Sequence, residues 1–332
     1  MVIGASAGGI TAVKKLLSLL PENPNAAFLV VLHQSPESDS KIIRDIFKKS
    51  TTLNCIVPEN ETLIQRGGLY IAPSNYHMMT KPGAVIINNG PREHRYRPSI
   101  DVLFRSAAVY YRSRVIAIIL TGMLDDGSSG MVAVKRCGGT AIVQDPEDAE
   151  FSQMPVHVLN RIKVDFVLPL NEIANIVGNL LSSPVPPEVP IPDEIKTEVE
   201  ITERIMTSID QLSKIADRTD FICPDCGGGL WKIKNDPPGR YRCHVGHVYS
   251  ENQMIRVHSQ QLEESLWVSA RMLEERRNMM EVMLKSANDA GHKSLAALYK
   301  ERIRETEKHI STLKALLSDY TENLRGKGDQ IA

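Results

Sequence analysis

The first 181 residues alternate between short apolar runs rich in β-branched residues and longer amphipathic stretches. This alternation constrains the fold most strongly, because it is typical of parallel strands joined by crossover helices. The sequence therefore predicts an α/β fold with a mostly parallel sheet. The predicted strands are Met1–Ile3, Phe28–Leu32, Gly68–Ile71, Ala84–Ile87, Val115–Leu120, Thr140–Val143 and Phe166–Leu168, and the predicted helices are Ile10–Leu20, Ile100–Tyr111 and Gly130–Cys137.

The composition changes at residues 182–192, where five of eleven residues are proline. Proline disfavours both helix interiors and central strands, so this stretch is predicted to be a linker. The predicted organisation is an α/β domain over 1–181, a linker over 182–196, a helical connector over 197–220, a zinc-ribbon-like unit over 221–250 and an α-helical hairpin with a tail over 251–332. Gly291 is the predicted break between two antiparallel helices, 255–288 and 293–317.

Charge and hydropathy exclude several classes of protein. The 39 basic and 40 acidic residues give a net charge of -1, without a basic block that would follow a phosphate backbone. The apolar runs are shorter than the roughly 20 residues that span a bilayer. Five cysteines in a chain of 332 residues do not suggest a disulfide scaffold. We expect a soluble, cytoplasmic protein that binds no nucleic acid and does not insert into membranes.

A serine follows the first predicted strand at a turn of small residues. Gly4-Ala5-Ser6-Ala7-Gly8 fits the G-x-S-x-G pattern, which exposes a serine hydroxyl at the carboxyl end of a parallel strand. The helix that follows offers backbone N–H groups to a developing oxyanion. A glycine-rich turn can instead bind phosphate, but here the G-x-G-x-x-G spacing and the P-loop lysine are absent.

Two more predicted strands end in residues that could activate such a serine. His33 directly follows Phe28–Leu32, and Asp125 and Asp126 follow the apolar strand Val115–Leu120. The histidine could be an ordinary polar strand end, and the aspartates could cap the next helix. Because parallel strands end at one sheet edge, these residues can instead meet as nucleophile, base and orienting acid. Their chain order differs from that of α/β-hydrolases, so that fold is not implied.

Five motifs follow one another along the predicted α/β domain: Gly4–Gly9, Val31–Gln34, Tyr70–Pro73 with His77, Arg97–Phe104 and Leu120–Gly127. In this order they resemble the catalytic domain of chemotaxis methylesterases of the CheB family. The resemblance implies a doubly wound α/β domain that hydrolyses glutamyl methyl esters on chemoreceptors and also deamidates glutamines. Carried over by position, the nucleophile is Ser6, the base is His33 and the orienting acid is Asp126, with Asp125 as second choice.

Well-known members of that family carry a phosphorylatable receiver domain before the esterase, whereas this sequence begins at the first predicted strand. We therefore expect no regulation by phosphorylation in cis, and another methylated or acylated protein is an alternative substrate. The oxyanion is expected to bind backbone N–H groups near Ala7 and Met123. No cofactor is expected for ester hydrolysis.

A second cluster of reactive residues lies after the linker. Cys223-Pro224-Asp225-Cys226 and Cys243-His244-Val245-Gly246-His247 have the spacing of a zinc ribbon. We predict a structural zinc ion bound by Cys223, Cys226, Cys243 and His247, with His244 as the alternative fourth ligand. Buried free thiols are the other explanation. A similar Cys/His tail followed by paired helices accompanies some CheB-like domains, which supports one accessory module.

Two functions are consistent with these patterns. The first is a serine esterase acting on methylated chemoreceptor helices or another methylated protein. The second is a non-catalytic or differently directed signalling protein that uses its ribbon and helical tail to bind a partner. The intact set of Ser6, His33 and Asp126 favours the esterase. Because a linker should separate the two parts, an esterase ending near Leu181 is expected to keep its active site.

Overall fold

The computed structural model describes residues 1–22, 24–204, 208–236 and 239–327, which fall into two units, Met1–Gln253 and Met254–Ala332. Residues 205–207 of the predicted connector and 328–332 of the predicted tail lie outside the described residues. The strands are β1 (Val2–Ala5), β2 (Phe28–Leu32), β3 (Asn54–Ile56), β4 (Thr62–Leu63), β5 (Gly68–Ile71), β6 (His77–Lys81), β7 (Ala84–Asn88), β8 (Ile116–Ile119), β9 (Thr140–Gln144), β10 (Phe166–Leu168), β11 (Ala216–Ile222), β12 (Gly229–Ile233), β13 (Arg240–Cys243) and β14 (Val248–Ser250).

The helices lie between these strands and after them. They are α1 (Gly9–Leu19), α2 (Ser40–Lys48), α3 (Ile100–Tyr111), α4 (Ser128–Arg136), α5 (Gln153–Arg161), α6 (Leu170–Ser182), α7 (Asp193–Glu203), α8 (Ile209–Ile215), α9 (Glu251–Asp289) and α10 (Lys293–Lys327). Within the described ranges, none of them is both long enough and apolar enough to span a membrane.

A seven-stranded parallel sheet lies at the centre of the first unit, in the order β10-β9-β8-β1-β2-β5-β3. The chain places β1 centrally, builds outward on one side through β2 and β5, and then crosses to β8, β9 and β10. Helices α1, α2 and α6 cover one face of the sheet, and α3, α4 and α5 cover the other. The predicted doubly wound α/β fold is therefore confirmed.

Burial of the central strands explains why they were predictable. All residues of β1, β2 and β8 are buried, as expected for a parallel sheet covered on both faces. The predicted Ala84–Ile87 is also a strand, but it does not join this sheet. It forms β7 of a separate antiparallel sheet, β4-β7-β6, because Gly83, at φ +75°, turns the chain back after β6.

The region predicted as a helical connector, 197–220, is only partly helical. Helices α7 and α8 account for its described helical residues, and β11 begins at Ala216. Pairing with β12 holds this charged stretch in an extended conformation, at the edge of the antiparallel sheet β11-β12-β13-β14. We call β11–β14 the ribbon. Cross-strand pairing has thus overridden the helical character of the sequence.

Residues 183–192 have no helix or strand, whereas α6 ends at Ser182 and α7 begins at Asp193, both within the predicted linker 182–196. Ile195 and Val199 of α7 join the core cluster that lies beside α3. The ribbon belongs to the same compact unit as the parallel sheet, and that unit ends at Gln253. Apolar packing thus continues beyond the prolines, and the independence of a part ending near Leu181 stays a prediction.

Buried ion pairs join the ribbon to the α/β part. Arg242 Nη1 lies 3.0 Å from Glu93 Oε1, and Glu93 also pairs with Arg105 of α3. Arg240 donates two hydrogen bonds of 2.8 and 2.9 Å to Glu198 of α7. Although burial opposes ionisation of Glu198, the nearby Arg105 and Arg240 lower the pKa of this carboxyl group to about 2. We call these residues, with Asp236 bonded to Arg240, the ion-pair cluster.

The second unit is described by α10 and by α9 from Met254 onward. Gly291 adopts a left-handed φ of +74° between the two helices, as expected for the predicted break, and Lys314 reaches Glu274 across the pair at 2.7 Å. Ile310 is buried, but Met272 and Leu298 are exposed. Small residues account for part of the difference, since Ala270, Ala287 and Ala296 occupy buried positions.

Candidate active site

The ends of three parallel strands bring Ser6, His33 and Asp126 together. Ser6 follows β1, His33 follows β2, and Asp126 lies in the loop between β8 and α4. His33 Nδ1 lies 3.1 Å from Ser6 Oγ, and His33 Nε2 lies 2.7 Å from Asp126 Oδ2. If Nε2 carries the proton given to Asp126, the lone pair of Nδ1 faces the serine hydroxyl and can accept its proton.

The N-terminus of α3 fixes the Asp126 carboxylate. Oδ1 accepts hydrogen bonds from Ser99 Oγ at 2.9 Å and from the Asp101 N–H at 3.1 Å, while Oδ2 accepts one from the Ile100 N–H at 2.8 Å. A helix N-terminus favours negative charge through its free N–H groups. These donors and His33 therefore hold the fully buried carboxylate in a single orientation.

Asp125 has a different environment from its neighbour. Its Oδ1 accepts a 2.8 Å hydrogen bond from Gln253 Nε2, and its backbone carbonyl accepts one from Ser128 Oγ. Of the two aspartates, the structure thus places Asp126 against His33 and Asp125 against the last residue of the first unit.

The turn around Ser6 needs glycine for two reasons. Gly8 has a left-handed φ of +72°, which non-glycine residues rarely adopt. Gly4 packs against α3 so closely that an added Cβ would lie 2.4 Å from Ile100 Cγ2. Gly122, in the loop that carries the aspartates, lies close to Ser6, and a Cβ added to Gly122 would lie 3.0 Å from Ser6 Cβ. The serine turn and the aspartate loop are therefore in direct contact.

A cleft of about 160 Å³ opens beside Ser6 and His33, and Gln34 and Ile43 contribute to its walls. A larger cavity of about 410 Å³ lies elsewhere, lined by Val2, Val115 and Pro186 among others, and no member of the Ser6, His33 and Asp126 set lines it. We assign the chemistry to the smaller cleft, because the reactive groups converge there.

Tyr96 covers one face of His33, which the sequence did not indicate. The two rings are parallel to within 5°, with centroids 3.5 Å apart. Tyr96 lies in the loop between β7 and α3, after two residues with left-handed backbones, His94 (φ 53°) and Arg95 (φ 66°). No hydrophobic periodicity or turn motif in the sequence predicts this loop. The one available signal is that Tyr96 directly precedes the Arg97–Phe104 motif.

His94 continues this polar network toward the ribbon. Its Nε2 lies 2.9 Å from Asp101 Oδ2, and its Nδ1 lies 3.1 Å from Gln253 Oε1. Burial disfavours a charged imidazole, but the hydrogen bond and the charge of Asp101 outweigh it and raise the pKa of His94 to about 9. Asp101 therefore forms an ion pair with a protonated His94, and hydrogen bonds continue from His94 through Gln253 to Asp125.

The ribbon brings Cys223, Cys226, Cys243 and His247 together, with one ligand atom of each within 4.8 Å of the others. Cys226 Sγ and Cys243 Sγ are 3.8 Å apart, and Cys243 Sγ lies 3.6 Å from His247 Nδ1. Sulfur ligands about 2.3 Å from a tetrahedral zinc ion stand roughly 3.7 Å apart, so the spacing fits this metal. His244 packs instead edge-on against Trp231.

The thiols of this cluster differ in acidity, since the hydrogen bond with Cys223 lowers the pKa of Cys243. Contact with Cys243 and burial raise the pKa of Cys223 to about 11, so a metal ion would have to displace a proton from it. Asp225 Oδ2 lies 3.8 Å from Nε2 of His247, the nitrogen that faces away from the sulfurs. Such a carboxylate commonly orients a histidine ligand.

Comparison with known proteins covers the α/β part. The model of the CheB methylesterase family matches residues 1–177. A Leptospira interrogans protein provisionally named protein-glutamate methylesterase/protein-glutamine glutaminase is 39% identical over 177 residues, which are 53% of this chain and 91% of that protein. Protein-glutamate methylesterase/protein-glutamine glutaminase 2 of Methanosarcina mazei is 36% identical over 183 residues, 53% of this chain but only 50% of that relative.

A solved structure agrees with these sequence matches. The crystal structure of the Thermotoga maritima CheB methylesterase catalytic domain is similar with a TM-score of 0.52 and 32% identity, covering 54% of this chain and 96% of that one. The match to the family model ends within α6, before the ribbon and the helical pair. Fold, strand-end residues and relatives agree, and the chain belongs to the CheB methylesterase family.

Proposed function

We propose that this protein is a serine-type protein-glutamate methylesterase that also deamidates protein glutamines. The observation that carries the proposal is the continuous hydrogen-bonded line from Ser6 Oγ through His33 to Asp126. Both activities named for the relatives are hydrolyses at the carbonyl carbon of a glutamyl or glutaminyl side chain. Methanol leaves from the ester, and ammonia leaves from the amide. One nucleophile and one base therefore serve both reactions.

Ester hydrolysis takes place in two steps. His33 Nδ1 accepts the Ser6 hydroxyl proton while Oγ attacks the ester carbonyl carbon, and the collapsing intermediate expels methoxide, which takes the proton from His33 and leaves as methanol. Water then gives a proton to His33 and attacks the acyl-serine carbonyl carbon, and the leaving Ser6 Oγ takes that proton back from His33 as the glutamate carboxyl group is released. Asp126 keeps its charge throughout and stabilises the imidazolium. We propose backbone N–H groups of Ala7 and Met123 as oxyanion donors, since the Gly122 loop packs on Ser6.

The substrate class is tested by methanol release. Methylated cytoplasmic fragments of chemoreceptors are incubated with the whole chain and with Ser6→Ala, and methanol and glutamine deamidation are measured. The proposal expects both products from the whole chain and neither from the variant. Hydrolysis of simple esters without release from receptor fragments would point to another methylated or acylated protein, whereas equal activity of the variant would remove the proposed mechanism.

We further propose that the ribbon holds one structural zinc ion through Cys223, Cys226, Cys243 and His247. Four protein ligands leave no open position, so the ion would stabilise the ribbon and take no part in hydrolysis. Elemental analysis of the reduced protein should give one zinc per chain, and substitution of Cys226 by serine should abolish it. Substitution of the neighbouring His244 by alanine should retain it. A protein without zinc would contradict the assignment.

A second function is supported by the helical pair. Met272, Met279 and Val282 of α9 are each at least 60% exposed, and methionine-rich surfaces adapt readily to partner helices. We propose that α9 and α10 bind a signalling partner in the cytoplasm, either beside the esterase activity or in its place. Pull-down with the helical pair, repeated after changing the three residues to glutamine, tests this surface.

A further inference from the structure

The loop that carries Tyr96 is paired with the last strand of the ribbon. His94 N–H donates a 2.8 Å hydrogen bond to the Val248 carbonyl, and the Val248 N–H reaches the Arg92 carbonyl at 3.4 Å. Glu93 and Val248 thus form a parallel bridge beside β14. Within the loop, the Tyr96 N–H donates to the Glu93 carbonyl at 2.9 Å. One tight turn therefore separates the ribbon strand from the ring that covers His33.

Side chains reinforce this backbone pairing. Glu93 is held by Arg242 of β13, His94 is held by Gln253, and all four side chains are at most 4% exposed. Buried, paired polar groups of this kind fix one arrangement, since any other would leave a charge or donor unsatisfied. Arg242 and Val248 directly adjoin Cys243 and His247 in sequence, so the same short segments carry the cysteine and histidine cluster and the clamp on the loop.

The two hydrogen bonds of His33 act within the plane of its ring, at Nδ1 toward Ser6 and at Nε2 toward Asp126. Tilting of the imidazole out of this position turns the Nδ1 lone pair away from the serine hydroxyl and weakens that bond. A parallel ring 3.5 Å away blocks this motion on one face.

We propose that Tyr96 is a positioning residue for His33, and that strand β14 of the ribbon holds Tyr96 in place through the loop of residues 91–96. The inference rests on the proposed esterase function and gives the ribbon a role in it. The ribbon serves the active site without touching the substrate. Small displacements of a catalytic base cost about 100-fold in rate, so the coupling should be measurable.

The first test substitutes Tyr96 in the whole chain. Tyr96→Leu should lower kcat about 10- to 100-fold while KM changes little, because the ring acts on the base and not on substrate binding. Tyr96→Phe keeps the stacked ring and should restore kcat to within about threefold. Titration of Ser6 with a fluorophosphonate gives the fraction of active enzyme in each variant. The NMR signal of the proton between His33 and Asp126 should broaden in Tyr96→Leu and stay sharp in Tyr96→Phe.

The second test uses a double-mutant cycle with Gln253, which lies at the start of α9 directly after strand β14 of the ribbon. Gln253→Leu removes the bond to His94 and should lower kcat, whereas Gln261→Leu, an exposed position on the same helix, should not. If the bond from Gln253 to His94 acts through Tyr96, adding Gln253→Leu to Tyr96→Leu should cause little further loss. Fully additive losses would overturn the route through Tyr96 in favour of a direct effect of Gln253 on Asp125.

The outcomes separate the inference from the function on which it rests. If Tyr96→Leu folds and has the kcat of the wild type while Ser6→Ala is inactive, Tyr96 has no positioning role but the proposed esterase mechanism stands. Activity in Ser6→Ala instead removes the esterase mechanism itself. If Tyr96→Leu fails to fold, Tyr96→Phe and Gln253→Leu still test the positioning role. The first variant keeps the ring stacked on His33, whereas the second loses the hydrogen bond that holds His94 in the Tyr96 loop.

Discussion

Ser6, His33 and Asp126 form one hydrogen-bonded unit, so each should be needed for turnover. We expect Ser6→Ala, His33→Ala and Asp126→Asn each to lower kcat by about three orders of magnitude or more, since members of such a unit act together. Methanol release at saturating substrate measures the loss. Ser18→Ala, on the exposed face of α1, is the matched control and should behave as the wild type.

The two aspartates should differ in these measurements. Asp125→Asn leaves His33 and its partners unchanged and should cost less than about tenfold in rate. A severe Asp125→Asn combined with a mild Asp126→Asn would reassign the orienting carboxylate, although the serine and histidine would keep their roles.

His94 should make stability depend on pH above neutrality. Its pKa rises from 6.5 to about 9 in the folded protein, because Asp101 stabilises the imidazolium more than burial disfavours it. The stabilisation is therefore complete below about pH 6.5 and is lost as the pH rises through 9. Urea midpoints measured from pH 6 to 10 should fall more steeply for the wild type than for His94→Gln. Parallel curves would show that His94 is not charged in the native state.

Among single residues, the sequence predicted those candidate site residues that lie in a turn directly after an apolar strand. Ser6, His33 and the aspartate pair each follow an apolar run, and parallel topology alone suggests that they meet. Tyr96 and Gln253 could not be found in this way, because their roles depend on which loop packs beside which distant strand. The roles of the first group remain predictions for the experiments above.

The close contact between β1 and α3 gives a prediction at the level of elements. Gly4→Ala would place a Cβ 2.4 Å from Ile100 Cγ2, and isoleucine is too stiff to move aside. We expect the helix N-terminus to be displaced from Asp126, with a loss of about 1–3 kcal/mol in unfolding free energy and reduced activity.

Gly178 of α6 provides the matched control, since nothing lies within 4 Å of an added Cβ there. Gly178→Ala should stabilise the protein by about 0.5–1 kcal/mol, because alanine loses less backbone entropy in a helix. Urea titration of both variants tests the pair. Equal stability of the two would argue against the tight packing of α3 on β1.

Sequence patterns located strands with an apolar run, including β10, which is only partly buried at the edge of the sheet. Predicted Phe28–Leu32, Gly68–Ile71 and Phe166–Leu168 are β2, β5 and β10 with the same bounds. The short strand β4 and the charged strand β11 escaped prediction, because neither has a sustained apolar run and both are defined by their neighbours. Local sequence therefore predicts the centre of the parallel sheet better than its attachments.

The first unit as a whole should tolerate truncation at only one of two places. A chain ending at Gln253 keeps the ribbon and the ion-pair cluster, so we expect it to fold and retain esterase activity. A chain ending at Leu181 loses Arg242, which pairs with Glu93, and the apolar side chains of α7, which cover part of the core. The loss of this pairing and packing should lower the free energy of unfolding by several kcal/mol. Melting temperature and methanol release compare the two. An active, equally stable shorter chain would restore the division at the prolines.

The ion-pair cluster also has a consequence for how such proteins diverge. Three arginines face three carboxylates that come from the Tyr96 loop, α7 and the ribbon. Recombination that exchanged the ribbon for one lacking Arg240 and Arg242 would leave the single arginine Arg105 to balance two buried carboxylates, Glu93 and Glu198. We therefore expect the ribbon and the α/β domain to be inherited together. Where a related protein has lost Arg242, we expect an uncharged residue in place of Glu93.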